Sequence, residues 1–320
     1  MNDLRRKTVQ IVFMGTSTFA VPALEKLINT GFEIAGVVTQ PDRPRGRGKQ
    51  LAVSPVKATA MEYGLSIYQP ERIKSGEAIE YISDWQPELI ITASYGQIIP
   101  PAILEMPAAG CINIHASLLP RYRGAAPIQR CLMEGEDKTG VTIMFMDEGL
   151  DTGDILVQQE VAISDVTTFG QLHDELALVG AELLMTAIKK LQAGDLTARK
   201  QDESAATYAS MLKKEDEIIN WQEDARQIFN QIRALDPQPG AFTLLAGENL
   251  KIFKSRIVKG DETGRPGEIT AVLPAGFIVK TGDGSLEILE VQRAGKKRIE
   301  AGAFLKGSNL SAGMILGGQE

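Results

Sequence analysis

Residues 9–38, VQIVFMGTSTFAVPALEKLINTGFEIAGVV, predict a strand, a helix and a second strand in immediate succession. The runs at 9–14 and 33–38 are apolar and rich in β-branched residues, which favours strands buried on both faces. Between them, apolar side chains recur at the spacing of one helix face: Ala20, Leu24, Leu27 and Ile28. Because parallel strands need such a crossover and a hairpin does not, the segment predicts a βαβ unit.

The same alternation continues to about residue 160. Four further runs have the composition of buried strands: ELIITA (88–93), GCINIH (110–115), VTIMFM (141–146) and DILVQQ (154–159). Ser54 followed by Pro55 predicts a helix start, and a capping box from Thr168 to Gln171 predicts a long helix ending near Leu191. Together they predict an α/β fold with a doubly wound, mostly parallel, Rossmann-like sheet, whose ligands gather beyond the carboxyl ends of its strands.

The pattern changes towards the end of the chain. After a helical stretch at 224–235, short strands are separated by turn signals at 246–247, 266–267 and 282–284, which predicts a smaller antiparallel, OB-like β-barrel. We therefore expect a catalytic domain at 1–192, a polar linker at 193–208 and a second domain at 209–320.

Composition limits the function classes. The chain has 320 residues, 43% of them apolar, and 34 Lys and Arg against 41 Asp and Glu, a net charge of -7 that argues against non-specific nucleic-acid binding. Cys111 and Cys131 form no CxxC pair and predict reduced core thiols, and with two histidines we expect no metal site. The absence of a long apolar run or a targeting segment leads us to expect a cytoplasmic protein.

Asn113 and His115 lie two residues apart on a predicted strand, so their side chains share one face. A lone core histidine is more often structural, but the carboxylate-rich loop 146–154 follows the next strand. If both strands end at one edge of the sheet, Asp151 can approach His115, directly or through an ordered water, and favour the imidazolium form. With Asn113 as a neutral donor to an oxyanion, the three groups predict an acyl-transfer site that has no covalent nucleophile.

Three motifs together resemble the 10-formyltetrahydrofolate-dependent formyltransferase family: Asn113-x-His115, the segment SLLPRYRG (117–124) and LDTG (150–153). The resemblance implies that Asn113, His115 and Asp151 are catalytic and that 10-formyltetrahydrofolate is the formyl donor. It also implies two segments that contact the folate. The first is the turn formed by Ser117, Leu118, Leu119 and Pro120. The second is a hinge at 95–100 (YGQIIP), along which the pterin lies and whose contacting residues are Tyr95, Gly96, Gln97 and Ile98.

The acceptor is indicated by the loop QPDRPRGRGK (40–49), whose four cations are Arg43, Arg45, Arg47 and Lys49. Taken alone, such a cluster is more often a solvated loop. Its wording is similar to the insertion loop of the family members that formylate methionyl-tRNA, which implies that it enters the acceptor stem of initiator tRNA with Arg47 as the main contact. The same resemblance adds Lys296, Lys297 and Arg298 of the second domain as RNA contacts. It implies formylation of the α-amino group of methionyl initiator tRNA. The missing transit sequence favours a bacterial protein, and we expect a monomer.

Two alternatives remain. One is a folate-dependent formyltransferase or hydrolase acting on a small amine, such as a ribonucleotide amine or an amino sugar. It accounts for Asn113, His115 and Asp151 but leaves the basic loop without a purpose. The other is a non-catalytic RNA-binding module with a degenerate folate site, which the intact set of three polar residues disfavours.

Overall fold

The computed structural model describes residues 9–45, 50–259 and 263–317. The chain forms two compact units. The first comprises the described residues up to Pro127 with Lys138–Ala162 and His173–Ala209, and the second comprises Ile128–Asp137, Ile163–Leu172 and the described residues from Ser210 onward. The two units therefore alternate along the chain, whereas the sequence predicts two continuous domains, 1–192 and 209–320, joined by one linker. Within these residues, no helix is both long and apolar enough to cross a membrane.

The elements up to residue 209 follow the predicted alternation. In chain order, the strands are β1 (Gln10–Gly15), β2 (Glu33–Val38), β3 (Arg43–Arg45), β4 (Gln50–Ala52), β5 (Ile67–Tyr68), β6 (Leu89–Ala93), β7 (Cys111–His115), β8 (Arg123–Gly124), β9 (Lys138–Phe145), β10 (Ile155–Ala162) and β11 (Tyr208–Ala209). The helices are α1 (Val21–Asn29), α2 (Pro55–Glu62), α3 (Gly76–Asp84), α4 (Pro101–Leu104), α5 (Pro127–Met133) and α6 (Phe169–Ala193).

Seven strands form the main sheet, in the order β10-β9-β7-β6-β1-β2-β5. The five strands from β7 to β5 in this order are parallel, which confirms the predicted doubly wound sheet. β9 and β10 add two antiparallel strands at one edge. Because the chain runs outward from β1 in both directions, β1 and β6 flank the point where the strand order reverses, and the carboxyl end of β7 lies on the same edge of the sheet.

The predicted helix signals act as expected. The Ser54 hydroxyl accepts a hydrogen bond of 3.0 Å from the Lys57 N–H and Pro55 opens α2, so one orphan amide of the first turn is satisfied. Thr168 and Gln171 form the predicted capping box, with the Thr168 N–H donating to the Gln171 side chain at 3.0 Å. The thiols of Cys111 and Cys131 are buried, and burial raises the pKa of the Cys111 thiol to about 12.

The second unit is built on an antiparallel sheet. Its helices and strands are α7 (Ala225–Ala234), β12 (Ala241–Leu245), β13 (Glu248–Val258), β14 (Ile269–Val272), β15 (Phe277–Lys280), β16 (Ser285–Arg293), β17 (Ile299–Glu300) and α8 (Ala301–Leu305). The order is β12-β13-β16-β15-β14, with β17 paired to β16. The left-handed residues Ala246 and Gly247 form the predicted tight turn between β12 and β13. These strands confirm the prediction of a smaller antiparallel domain.

Residues 313–317 bridge the two edge strands of this sheet. The Gly317 N–H donates to the Leu244 carbonyl of β12 at 2.9 Å. On the other side, the Ile269 N–H of β14 donates to the Met314 carbonyl at 2.8 Å, and the Gly313 N–H donates back to the Ile269 carbonyl at 2.8 Å. We call residues 313–317 the closing strap, because its backbone satisfies edge groups of both β12 and β14 and gives the sheet a barrel-like closure.

One buried arginine explains why two earlier segments, 128–137 and 163–172, belong to this unit. Arg233 of α7 is 5% exposed, and its Nε donates to Asn230 at 2.9 Å. Its other nitrogens donate to the carbonyls of Ser164 and Thr167 at 3.3 Å and of Leu132 at 3.5 Å. Burial lowers the pKa of the Arg233 guanidinium. One side chain thus ties α7 to residues 128–137 and 163–172, a contact that periodicity in the sequence cannot reveal.

Replacing Arg233 with methionine should lower the free energy of unfolding by about 2–4 kcal/mol, because three carbonyls and the Asn230 side chain lose a buried donor. Arg226→Met is the matched control on the same helix. The Arg226 side chain is 50% exposed and pairs with the exposed Asp165, so its loss should cost less than about 1 kcal/mol. Urea unfolding followed by the fluorescence of buried Trp221 measures both, and equal changes in the two variants would contradict the proposed role of Arg233.

Candidate active site

The carboxyl end of β7 presents Asn113 and His115 on one face of the main sheet, as the sequence predicts. Thr92 on the neighbouring β6 pairs with Asn113 in register, and its hydroxyl donates to the Asn113 Oδ1 at 2.7 Å. Since Oδ1 is occupied by this donor, the Nδ2 amide is the end of Asn113 that can donate to a ligand. No pattern in the sequence points to this role of Thr92.

The His115 imidazole lies between two acceptors. Its side chain is 6% exposed, and Nε2 is 3.0 Å from the Tyr122 carbonyl oxygen. A carbonyl can only accept, so Nε2 carries a proton. Nδ1 is 3.6 Å from Asp151 Oδ2, a separation too short for an intervening water and longer than an ordinary hydrogen bond. Asp151 therefore faces the imidazole directly, and the water-mediated alternative is not the arrangement found.

Asp151 reaches His115 by a different route from the expected one. β9 is antiparallel to β7, with His115 opposite Thr142 and Ile112 opposite Phe145, so the two strands do not end at the same edge. The loop after β9 begins beside the first half of β7 and folds back. The Gly124 N–H then anchors it by donating to Asp151 Oδ2 at 2.8 Å. The expectation that Asp151 approaches His115 is confirmed, while the strand geometry assumed for it is wrong.

Backbone strain is concentrated around this site. Five non-glycine residues among those described have positive φ, and three of them are Ser94, Tyr122 and Asp151, at +48°, +60° and +54°. Tyr122 supplies the carbonyl to His115, Asp151 supplies the carboxylate, and Ser94 precedes the hinge at 95–100. Left-handed backbone costs about 1–2 kcal/mol for such residues and persists where surrounding contacts hold it in place. The contacts of Tyr122 and Asp151 converge on His115.

The SLLP turn is pinned from inside. The Ser117 hydroxyl donates to the Arg121 carbonyl at 2.6 Å, and the buried Leu119 N–H donates to Thr142 at 3.1 Å. The Leu119–Pro120 peptide is cis. Ser117 and Leu119 are buried, whereas Leu118 and Pro120 are partly exposed. Leu118 and Pro120 are thus the members of the turn with surface left for a ligand.

The hinge is similarly divided. Tyr95 is 4% exposed and packs in the core, where burial raises the pKa of its hydroxyl. Its carbonyl accepts from the Thr16 hydroxyl at 2.8 Å and from the Gln40 amide at 3.2 Å. Gly96 and Ile98 are exposed, Ile98 by 88%, while the partly exposed Gln97 uses its side chain to accept from the Ile73 N–H at 2.9 Å.

The base of the basic loop is fixed by an acid. The Lys57 ammonium bonds Asp42, and the Gln69 amide donates to Asp42 Oδ1 at 2.9 Å. Both contacts hold the pKa of the Asp42 carboxyl below its usual range. Arg43 is exposed on β3. This strand ends at Arg45 and pairs antiparallel with β4. The predicted contacts Arg47 and Lys49 lie outside the residues that the structure describes.

The three cations predicted in the second unit differ in their surroundings. Lys296 and Lys297 are exposed. Arg298, in contrast, stacks 4.4 Å above the Phe253 ring and bonds two carboxylates, Glu290, at 2.7 Å from Nη2, and Asp236. These two carboxylates, Glu290 first, raise the pKa of Arg298. Its donors are therefore used inside the unit. Among the described residues, no group of three or more His, Cys, Asp or Glu side chains could hold a metal ion.

Gly124→Ala should reduce turnover by about 100-fold, because a shift of about 1 Å in a positioned group can cost that much. Gly124 has φ +119°, and an added Cβ would lie 2.7 Å from the Ala209 carbonyl oxygen, so the N–H that holds Asp151 must move. Gly64→Ala is the control, since Gly64 also has a positive φ of +64° but its Cβ would meet no atom within 4 Å. Catalytic rates per folded molecule compare the two variants, and equal losses would show that backbone strain alone is responsible.

Comparison with known proteins identifies the family of this chain. A profile described as formyl transferase matches residues 8–188, and one described as the formyl transferase C-terminal domain matches residues 211–309. The methionyl-tRNA formyltransferase of Syntrophomonas wolfei is 53% identical over 313 residues, covering 98% of this chain and 100% of the relative. That of Bacillus subtilis is 46% identical over 309 residues, covering 96% and 98%.

A solved structure supports the fold. HypX from Aquifex aeolicus in complex with tetrahydrofolic acid matches with a TM-score of 0.64 at 19% identity, over 93% of this chain and 46% of that one, so this chain spans about half of that protein. At this identity the likeness shows the fold alone. The profile over more than half of the chain and the relatives about half identical along nearly all of it show that the chain belongs to the formyl transferase family and, within it, to the methionyl-tRNA formyltransferases.

Proposed function

We propose that this chain transfers the formyl group of 10-formyltetrahydrofolate to the α-amino group of methionyl initiator tRNA, in a bacterial cytoplasm. The observation that carries the proposal is the buried imidazole of His115 facing the Asp151 carboxylate at 3.6 Å, on a strand that also carries Asn113. The identity of 46% and 53% to bacterial proteins named methionyl-tRNA formyltransferase supports the choice of acceptor.

The reaction begins when the amine lone pair of the methionyl ester attacks the formyl carbon. A carbon–nitrogen bond forms, and the carbonyl electrons move to oxygen to give a tetrahedral oxyanion. Asn113 stabilises this charge through Nδ2, the end of its amide that Thr92 leaves available. Collapse of the intermediate breaks the bond to the folate N10 and yields the formylated amine.

His115 handles the protons of both steps. Its Nε2–H is bonded to the Tyr122 carbonyl, so Nδ1 is the ring atom that gives a proton to the departing N10 and recovers one from the attacking amine. Asp151 lies beside that same nitrogen and stabilises its protonated form. No covalent enzyme intermediate is needed, because the amine is itself the nucleophile.

The folate would lie along the SLLP turn and the hinge. Leu118, Pro120 and Ile98 offer apolar surface to its rings, while Ser117, Leu119 and Tyr95 are buried and support the two segments from below. Gly96 and Gln97 complete the hinge and leave backbone groups near the ligand. The residues of the turn and of the hinge thus divide into supporting residues and contacting residues.

The cations supply the contact to RNA. Arg43, Arg45, Arg47 and Lys49 would enter the acceptor stem from the first unit, with Arg47 as the main contact, since guanidinium groups bind phosphate and stack on exposed bases. Lys296 and Lys297 would contact the tRNA backbone from the second unit. Arg298 is better suited to holding the loop at Asp236 than to binding RNA, because both carboxylates beside it already use its donors.

A comparison of acceptors tests the function. Purified protein with 10-formyltetrahydrofolate should formylate methionyl initiator tRNA, and should act poorly on methionyl elongator tRNA and on free methionine. A ribonucleotide amine and an amino sugar cover the small-amine alternative. Faster turnover with either small amine, or release of tetrahydrofolate without any acceptor, would contradict the proposed function.

Asn113→Ala should lower kcat by about 100- to 1,000-fold with little change in folate binding, because one oxyanion donor is removed and the ground state is barely touched. Asn29→Ala, at an exposed position of the same unit, is the control. Single-turnover formyl transfer and the fluorescence change on folate binding separate the two quantities. Near-normal turnover of Asn113→Ala would remove the proposed electrostatic role.

Exchanging both Lys296 and Lys297 for glutamine should raise the KM for tRNA and reduce the salt dependence of binding by a log–log slope of about 1 per lost phosphate contact. The fold should keep its stability, since both side chains are exposed. Arg298→Gln should instead lower the free energy of unfolding and change the salt dependence of tRNA binding little. A larger effect of Arg298→Gln than of the lysine pair on the salt slope would contradict this division.

A further inference from the structure

We propose that Gln201, in the segment that the sequence presents only as a polar linker, is a positioning residue that holds the Asp151 loop against His115. The inference rests on the proposed function, because it assigns Gln201 a role through Asp151. Gln201 is half-buried and belongs to the first unit. Nothing in its local sequence marks it, since it is a single glutamine between Lys200 and Asp202.

The Gln201 amide donates twice to the loop. Nε2 donates to the Asp151 carbonyl at 2.8 Å and to the Gly153 carbonyl at 2.7 Å. These bonds hold the two residues on either side of Thr152, including the one at φ +54°. The Asp151 main chain is therefore fixed by Gln201 while its carboxylate is fixed by the Gly124 N–H. With both its main chain and its carboxylate held, Asp151 faces His115 with little freedom to move.

A buried arginine sets the direction of this amide. Arg123 is 0% exposed, and its Nε and Nη2 donate to the Gln201 Oε1 at 3.1 and 2.9 Å. A guanidinium has no acceptor, so the oxygen of Gln201 must face Arg123 and the NH₂ group must face the loop carbonyls. Glu203 accepts from the other side of Arg123 at 2.7 and 2.9 Å and raises the pKa of the guanidinium. The charge of Arg123 is thus balanced by Glu203, while Nε and Nη2 also bond Gln201.

The main chain around Gln201 is also anchored. Arg199 exchanges backbone hydrogen bonds of 2.8 and 2.9 Å with Ile155, just after the Asp151 loop. On the far side, the Arg123 N–H donates to the Thr207 carbonyl at 2.9 Å, and β11 pairs with β8. Residues 199–209 therefore contact both loops that meet at His115, and the Gln201 side chain bonds Arg123 of one loop and the Asp151 and Gly153 carbonyls of the other.

The substitution that isolates the donor is Gln201→Glu. The carboxylate still accepts from Arg123, but it presents an oxygen to the Asp151 and Gly153 carbonyls, so the loop must shift. We expect kcat to fall by about 10- to 100-fold, the usual effect of misplacing a positioned group, with KM for folate and tRNA nearly unchanged. Gln201→Met, which removes the donor without adding charge, should give a smaller loss in the same direction. Gln159→Glu, the same exchange at an exposed position of the same unit, should leave the rate unchanged.

A double-mutant cycle separates positioning from a general structural effect. If Gln201 acts through Asp151, Gln201→Glu should add little to the loss already caused by Asp151→Asn. Two outcomes would overturn this inference and leave the proposed function intact. In the first, the rate losses of Gln201→Glu and Asp151→Asn multiply in the double variant. In the second, Gln201→Glu and Gln201→Met keep a normal rate while Asp151→Asn is impaired. A normal rate for Asp151→Asn itself would instead contradict the proposed catalytic role, and the inference with it. Urea unfolding of each variant verifies that the compared molecules are folded.

Discussion

The arrangement depends on one requirement, that a buried imidazole must find a partner for each ring nitrogen. His115 is inside the protein, where an unsatisfied polar group costs about 1–3 kcal/mol. Its partners are the Tyr122 carbonyl and the Asp151 carboxylate, and each belongs to a loop with left-handed backbone. The turn after β7 and the loop after β9 therefore have to meet over this ring. Gly124 of the first loop links the two, because its N–H donates to Asp151 of the second. A glycine is needed there because a Cβ would collide with the Ala209 carbonyl.

Much of the scaffold could be predicted from the sequence because it depends on local patterns. The β1–α1–β2 unit, the Ser54 cap of α2 and the capping box of α6 follow from periodicity and from hydrogen bonds within a few residues. The shared face of Asn113 and His115 follows from strand geometry alone. The approach of Asp151 needed the family resemblance, since the argument from strands assumed the wrong direction for β9.

What could not be predicted depends on partners distant in sequence. Arg233 and Arg298 have the same side chain as Arg43, yet the first is buried among carbonyls, the second lies between carboxylates and the third is exposed. Composition cannot distinguish these three cases, because the fold decides which acceptors surround each guanidinium. Gln201 is similar. Its value comes from Arg123 on one side and the Asp151 loop on the other, 78 and 50 residues away.

The closing strap has a consequence for handling the protein. Its backbone pairs with the Leu244 carbonyl of β12 and with both backbone groups of Ile269 on β14, and without the strap these edge groups would be unpaired. Such bare sheet edges recruit strands from other molecules. Proteolytic trimming at residue 313, or a bulky fusion that displaces the strap, should therefore promote self-association and precipitation, even though the proposed catalytic residues lie in the other unit and keep their contacts.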